Sequence, residues 1–261
     1  MGMTRPPAVA GTFYPADPRE LHSMLDGFLR AAPADMPIPR AMIVPHAGYI
    51  YSGPVAATGY ACLLNPDIAV KHVVLLGPAH RVPFRGLATT TATAFATPLG
   101  DIPVDQAAIR DLAALPQIHV MDEAHRLEHS LEVQLPFLQV TLAEFSLIPL
   151  VVGDATAEEV FEVLEVLCAR PETLIVVSSD LSHYHSYATA TRLDEDTSRN
   201  IEALDYQAID HDHACGRNPV SGLLLYARHH GLKARTLDLR NSGDTAGPRD
   251  QVVGYGTYIF Q

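Results

Sequence analysis

The sequence predicts one α/β domain built on a mixed, mostly parallel central sheet flanked by helices. Three observations predict it. The short apolar runs Ala41–Val44, Val73–Leu76, Ser146–Val152 and Leu174–Ser178 do not alternate with polar residues, which is the pattern of strands buried on both faces. Segments of helical period fall between them, as the crossovers of a parallel sheet require. The 261 residues, 48% hydrophobic and 18% charged, contain no linker that would divide them, so residues 1–261 read as a single domain with a substantial core.

Along the chain, residues 5–18 are Pro-rich and read as an ordered arm. Asp17-Pro18 then starts a helix, because Asp caps, Pro suits the first turn, and Leu21, Met24, Leu25, Phe28 and Leu29 recur at helical spacing. The Pro-rich stretch 33–39 ends it. The strand Ala41–Val44 leads to His46, and Ser52-Gly53-Pro54 opens a second helix running to about Leu64. After Val73–Leu76, residues 86–104 are rich in Thr and Ala around a turn and read as a hairpin insertion. Asp105–Leu115 is helical, the segment from Glu123 to Val140 is interrupted by Pro136, and Ser146–Val152 is a buried strand. Thr156–Ala169 places Val160, Phe161, Leu164 and Leu167 on one helix face. Two further helices, Ala188–Leu204 and Pro219–His230, precede the last strands, Ala234–Leu239 and Val252–Ile259; Gly231 closes the second helix.

Composition excludes several functions. A net charge of −12 offers no basic face for nucleic acid or an anionic membrane. No apolar run reaches the ~18 residues of a membrane span, and no apolar signal-peptide core follows Met1, so a cytoplasmic location is expected. The cysteines Cys62, Cys168 and Cys215 form no spaced motif and suit a reducing compartment. There is no Gly-rich nucleotide loop and no Gly-x-Ser-x-Gly.

The thirteen histidines are the informative residues. His46 and His80 each follow the carboxyl end of an apolar strand, the edge where open α/β sheets bind ligands. Two such imidazoles and one carboxylate can hold iron(II) with positions left open. The third ligand is not evident from spacing, because Asp244 sits in Asn241-Ser242-Gly243-Asp244, whose residues are ordinary turn formers. Asp180 and His183 follow the strand Leu174–Ser178 and read equally as a helix cap or as an acid/base pair. In Glu128-His129-Ser130 either Ser130 caps a helix or His129 enters the pocket. His211, His213 and Cys215 lie in a polar, acidic stretch and read as surface. His229 and His230 suit a helix C-terminus.

Several segments together resemble the Memo family. They are Pro7–Tyr14, Pro45-His46-Ala47-Gly48-Tyr49 with Tyr51-Ser52-Gly53, Gly77-Pro78-Ala79-His80, Glu128 through Pro136, Ser178 through Tyr184, Asn241 through Asp244, and Val253-Gly254-Tyr255. The likeness runs in order over nearly the whole chain and is closest to the bacterial and archaeal branch, the members called AmmeMemoRadiSam system protein B. That family is similar in fold to the class III extradiol (LigB-type) dioxygenases. The resemblance implies a metal on His46, His80 and Asp244, with iron(II) foremost and copper or zinc as alternatives. It implies His183 as acid/base, His129 and Asp180 as further catalytic residues, and Tyr49 as a pocket wall. The implied activity is dioxygenase-like or redox chemistry on an unknown small molecule. The alternatives are a non-catalytic module that binds a peptide or small anion in the ancestral pocket, and a zinc-assisted hydrolase. A functional link to radical SAM and AMMECR1-like proteins is implied as well.

Overall fold

A computed structural model describes residues 2–33 and 37–261, so the stretch 33–39 expected to end the first helix lies partly outside the described residues. Four parallel strands form the centre of a nine-stranded sheet: β2 (Ala41–Val44), β9 (Thr173–Ser178), β3 (His72–Pro78) and β8 (Ser146–Val152), side by side in that order. Their residues are almost all buried, which accounts for the unbroken apolar runs in the sequence. Antiparallel neighbours extend both sides and make the sheet mixed. On one side β12 (Val252–Phe260) pairs with β2, β10 (His183–His185) and β11 (Ala234–Asn241). On the other, β4 (Leu87–Thr89) pairs antiparallel with β8 and parallel with β7 (Ile118–Val120).

The expected hairpin is therefore narrower than 86–104. It is formed by β5 (Ala94–Thr97) and β6 (Gly100–Pro103), which join β1 (Thr4–Arg5) in a small separate sheet. Leu87–Thr89 leaves that unit because its three residues are wholly buried and dock on the edge of β8.

Helices cover the sheet. One group, α1 (Pro18–Ala31), α2 (Tyr49–Tyr60) and α5 (Leu135–Thr141), packs together and lies over β2 and β12. Another, α3 (Gln106–Asp111), α6 (Ala157–Cys168) and α8 (Arg217–His229), lies along β3, β8 and β9. The caps are written in the sequence: Asp17 accepts from the N–H groups of Arg19 and Glu20, and Thr156 with Glu159 forms a capping box. The remaining helices are the short α4 (Asp122–Arg126), the polar α7 (Tyr187–Glu202) against β11 and β12, and the single turn α9 (Ser242–Thr245). The second helix starts at Tyr49, three residues before Ser52, with Pro54 inside it; this turns Tyr49 into the core.

The N-terminal arm is held by one buried carboxylate. Glu132, fully buried, accepts from the N–H groups of Ala8 (2.8 Å) and Val9 (2.9 Å), from the Tyr14 hydroxyl (2.6 Å) and from the Arg5 guanidinium. Arg5 also donates to the carbonyls of His125 (3.0 Å) and Glu128 (2.6 Å), which ties the arm to the segment carrying Glu128 and His129.

Candidate metal centre

Register brings the candidate residues together. The strands β2, β9 and β3 are adjacent and parallel, and Val44, the last residue of β2, pairs with Ser178, the last of β9. His46, Asp180 and His80 each lie two residues beyond the end of one of these strands. The Asp180 carboxylate accepts the His46 backbone N–H at 2.7 Å, tying two of the strand ends to each other.

The hydrogen bonds around His46 fix its tautomer. Ser178 Oγ donates its one proton to the carbonyl of Ser130 (2.5 Å), which can only accept. Ser178 Oγ can therefore only accept from Gln134 Nε2 (2.8 Å) and from His46 Nδ1 (2.9 Å). Gln134 is oriented in turn, since its Nε2 donates to the Pro45 carbonyl at 2.9 Å and its Oε1 accepts from the Tyr60 hydroxyl. His46 thus carries its proton on Nδ1 and presents a bare Nε2. Burial, reinforced by the neighbouring His80, lowers its pKa to about 3, so the ring is neutral.

His80 is set the same way by a carboxylate. Glu128 accepts from the His80 N–H (2.6 Å), from His80 Nδ1 (2.9 Å) and from the N–H groups of His129 (2.9 Å) and Ser130 (3.0 Å). Burial alone would raise the Glu128 pKa, but His80 and these N–H groups hold it at about 2. The ionised carboxylate keeps the proton on His80 Nδ1 and leaves Nε2 free, the arrangement by which outer carboxylates orient metal-binding histidines.

The third member of the cluster is Cys215. Its Sγ lies 3.4 Å from His46 Nε2, and the ligand atoms of His46, His80 and Cys215 all fall within 4.8 Å of one another. Cys215 precedes α8 and is held by its backbone N–H on the Asp180 carbonyl (3.3 Å). Gly216 permits this approach, since a Cβ there would stand 2.7 Å from the Ser179 side chain. Burial pushes the Cys215 thiol well above its ordinary pKa, so without a cation it stays protonated. Two bare imidazole nitrogens and a thiol that a metal would deprotonate form a donor set suited to a soft or borderline transition metal. A second, overlapping group is His80, Glu128 and His129.

Two of the expected residues stand apart from this cluster. Asp244 is not grouped with His46 and His80 among the described residues. Its Oδ1 accepts from the Tyr187 hydroxyl (2.7 Å), with Arg249 at 3.5 Å, and its Oδ2 accepts the Asn241 N–H (3.1 Å) in a capping box of α9. The turn chemistry evident in the sequence is what that carboxylate does. Tyr49 is buried between Tyr14 and Phe137 and donates its hydroxyl to the Val133 carbonyl at 2.7 Å.

The remaining candidates surround the cluster. His129 stacks on His80 (ring centroids 4.7 Å apart, 23° between planes) and meets His46 edge-on at 5.5 Å; Phe13 of the arm covers it. Burial and then His46 lower its pKa to about 4, and its buried Nδ1 lies 3.3 Å from Glu128 Oε1 without the geometry of a hydrogen bond. Ser130 does not cap the turn that follows, whose N-cap is Leu131, and its hydroxyl donates instead to the Pro78 carbonyl. Asp180 does not cap α7 either, whose N-cap is Ser186; burial raises the Asp180 pKa. His183 donates from Nδ1 to the Leu181 carbonyl (2.8 Å), leaving Nε2 unprotonated when neutral. Beside it Tyr184 adopts a left-handed backbone (φ 60°), a conformation costing a non-glycine residue on the order of 1 kcal/mol.

Comparison with known proteins agrees with this architecture. A family model described as "Memo-like protein" matches residues 5–259. A MEMO1 family protein of Aquifex aeolicus is 37% identical over 267 residues, covering 98% of each chain. MEMO1 family proteins of Saccharolobus islandicus and Saccharolobus solfataricus are 34% identical, covering 97% of this chain and 98% of theirs. Among solved structures, an uncharacterized protein of Escherichia coli K12 superposes with a TM-score of 0.52 at 16% identity, covering 84% of this chain and 98% of that one. The likeness at that identity is one of fold, and the mixed sheet with its helix layers accords with the class III extradiol dioxygenase-like fold.

Proposed function

This chain belongs to the Memo-like family, and from that premise we propose that it is a metal-dependent, dioxygenase-like or redox protein acting on a small substrate. The observation that carries the proposal is a pair of imidazoles whose Nδ1 atoms are already engaged by Ser178 and Glu128, with ligand atoms of His46, His80 and Cys215 all within 4.8 Å of one another. His46, His80 and Cys215 would hold the metal, with iron(II) or copper favoured over zinc for redox work; the thiolate takes the place expected of Asp244.

When bound, such a metal supplies Lewis-acid and one-electron chemistry at positions the three protein donors leave open. The chain's own residues do the rest. Ser178 and Glu128 keep the two rings in one tautomer and one orientation. Asp180 fixes the His46 backbone, and is thus a positioning residue. His183, whose Nδ1 donates to the Leu181 carbonyl, has a second ring nitrogen with which to take and return a proton. His129 closes one wall of the site by stacking on His80. The three unpaired cysteines suit a reducing cytoplasm, where a thiolate ligand survives.

The test is metal content after purification without chelators, together with the thiolate-to-metal absorption of the cobalt(II)-loaded protein. His46→Ala and Cys215→Ser are expected to lose metal, and Cys215→Ser to lose the thiolate band, while Asp244→Ala keeps both. Unchanged metal content in His46→Ala and Cys215→Ser would sink the assignment.

A further inference from the structure

Beside Cys215 the surface opens into a cleft of about 350 Å³, a size that admits a small organic molecule. One wall is apolar: Pro83, Phe84 and Val152 line it, and Pro78-Ala79 leads from it directly to His80. The opposite wall is the start of α8, where Arg217 and Asn218 follow Cys215. Asn218 is already used, since its Nδ2 donates to the Gly153 carbonyl at 2.8 Å.

Arg217 is not used. Its guanidinium makes no hydrogen bond and no ion pair among the described residues, and its buried Nε has no partner. Buried donors of this kind are rare, and here the unanswered one belongs to a half-buried cation that borders a cleft. Elsewhere a buried arginine is answered, as Arg5 is by Glu132. The carboxylate of Asp154 also borders the cleft but stands outside ion-pair distance of Arg217.

From this juxtaposition we infer that the cleft is the substrate subsite of the proposed metal centre, and that it takes a small organic monocarboxylate. Arg217 would hold the anionic end, and the apolar wall of Phe84, Pro83 and Val152 would hold the body against Cys215. A guanidinium matches a carboxylate with two parallel N–H donors. Arg217 is the one guanidinium in a lining that also holds His211, and with the Asp154 carboxylate on the same rim it suits a monoanion better than a phosphate dianion. This assignment rests on the metal-centre reading for its chemistry, but not for its binding.

The experiment therefore measures binding rather than turnover. Benzoate is titrated calorimetrically against its neutral counterpart benzamide, with inorganic phosphate as the competing anion, on metal-loaded and on chelator-treated protein. Benzoate is expected to bind the wild type more tightly than benzamide or phosphate, and to weaken by about tenfold or more in Arg217→Gln, as loss of a charge-assisted pair implies. Arg217→Lys should recover only part of that loss. Equal binding of benzoate and benzamide, no benzoate binding at millimolar concentration, tighter binding of phosphate, or unchanged affinity in Arg217→Gln would each overturn the inference. If the chain proves to hold no metal, Arg217-dependent benzoate binding to the metal-free protein still upholds the subsite; if metal binds and benzoate ignores Arg217, only the subsite falls.

Discussion

Glu128 is the residue on which the orientation of His80 depends, because four N–H groups converge on its two oxygens. Glu128→Gln keeps the shape but halves the acceptors and turns an NH2 group toward donors. The expected cost is about 2–4 kcal/mol of stability and about 10- to 100-fold in metal affinity, read by urea unfolding and by competition with a chromophoric chelator. Metal affinity equal to wild type would show that His80 needs no carboxylate. Tyr49→Phe tests the opposite assignment. It should cost about 1 kcal/mol for the bond to Val133 and leave metal content unchanged, whereas a pocket role would change binding and spare stability. Residues differ in how far their sequence context announces them. His46 and His80 were legible because each follows an apolar run, and a run of buried strand delivers its end to the same edge as its neighbours. Cys215 was not: it lies in a polar stretch beside His213 and the exposed His211, and only the folded loop, drawn in by Gly216 against Ser179, carries it to His46. Asp244 shows the converse, a residue whose turn chemistry was visible in Asn241-Ser242-Gly243-Asp244 and is what its carboxylate does in the capping box of α9.

At the scale of elements, the N-terminal arm and the helix α7 are each fastened through a buried carboxylate, with opposite consequences for stability. Glu132 joins the arm to the segment after α4, and replacing it by Ala leaves Arg5 buried and uncompensated. A loss of about 3–5 kcal/mol is expected, seen as a lower urea midpoint and as protease cleavage within residues 2–14. An unchanged midpoint would mean that the arm docks by its apolar contacts alone. A double change, Arg5→Met with Glu132→Leu, should recover only part of the loss, because Ala8, Val9 and Tyr14 also donate to Glu132. In α7, Asp194 is buried against Gly254 of β12 and accepts the Ser182 N–H at 3.0 Å; burial raises its pKa from 3.8 to about 6. The folded state therefore binds this proton more tightly than the unfolded chain does. Its favourable contribution is complete below pH 3.8 and is lost as pH rises through about 6. Asp194→Asn removes the dependence, so the variant should gain on the wild type between pH 4 and 7, by roughly 3 kcal/mol at most. Parallel pH–stability curves for the two proteins would refute this. Strand and helix order was legible because period and burial are local. The placement of Leu87–Thr89 was not, since a three-residue apolar run looks the same in a hairpin and on the edge of a large sheet, and the choice was made by β8, some sixty residues away.

For the whole molecule, the proposed metal is a cross-link between distant parts of the chain, since His46 and Cys215 are 169 residues apart. His46 follows β2, His80 follows β3 and Cys215 precedes α8, so no local segment can assemble the site, and the unfolded chain offers it no comparable partner. Binding energy must then appear as folding stability. At a free metal concentration of 100 Kd the stabilisation is about 2.7 kcal/mol, which for a domain of this size corresponds to roughly 5–10 °C in Tm. The negative surface works in the same direction, because a net charge of −12 concentrates cations near the protein at low ionic strength. Thermal unfolding followed with and without chelator, at fixed salt, measures the shift. The wild type and Asp244→Ala should both show it, and His46→Ala and Cys215→Ser should both lose it. A shift that survives in the two ligand variants would place the metal elsewhere, and one lost only in Asp244→Ala would restore the carboxylate to the site and remove the thiol.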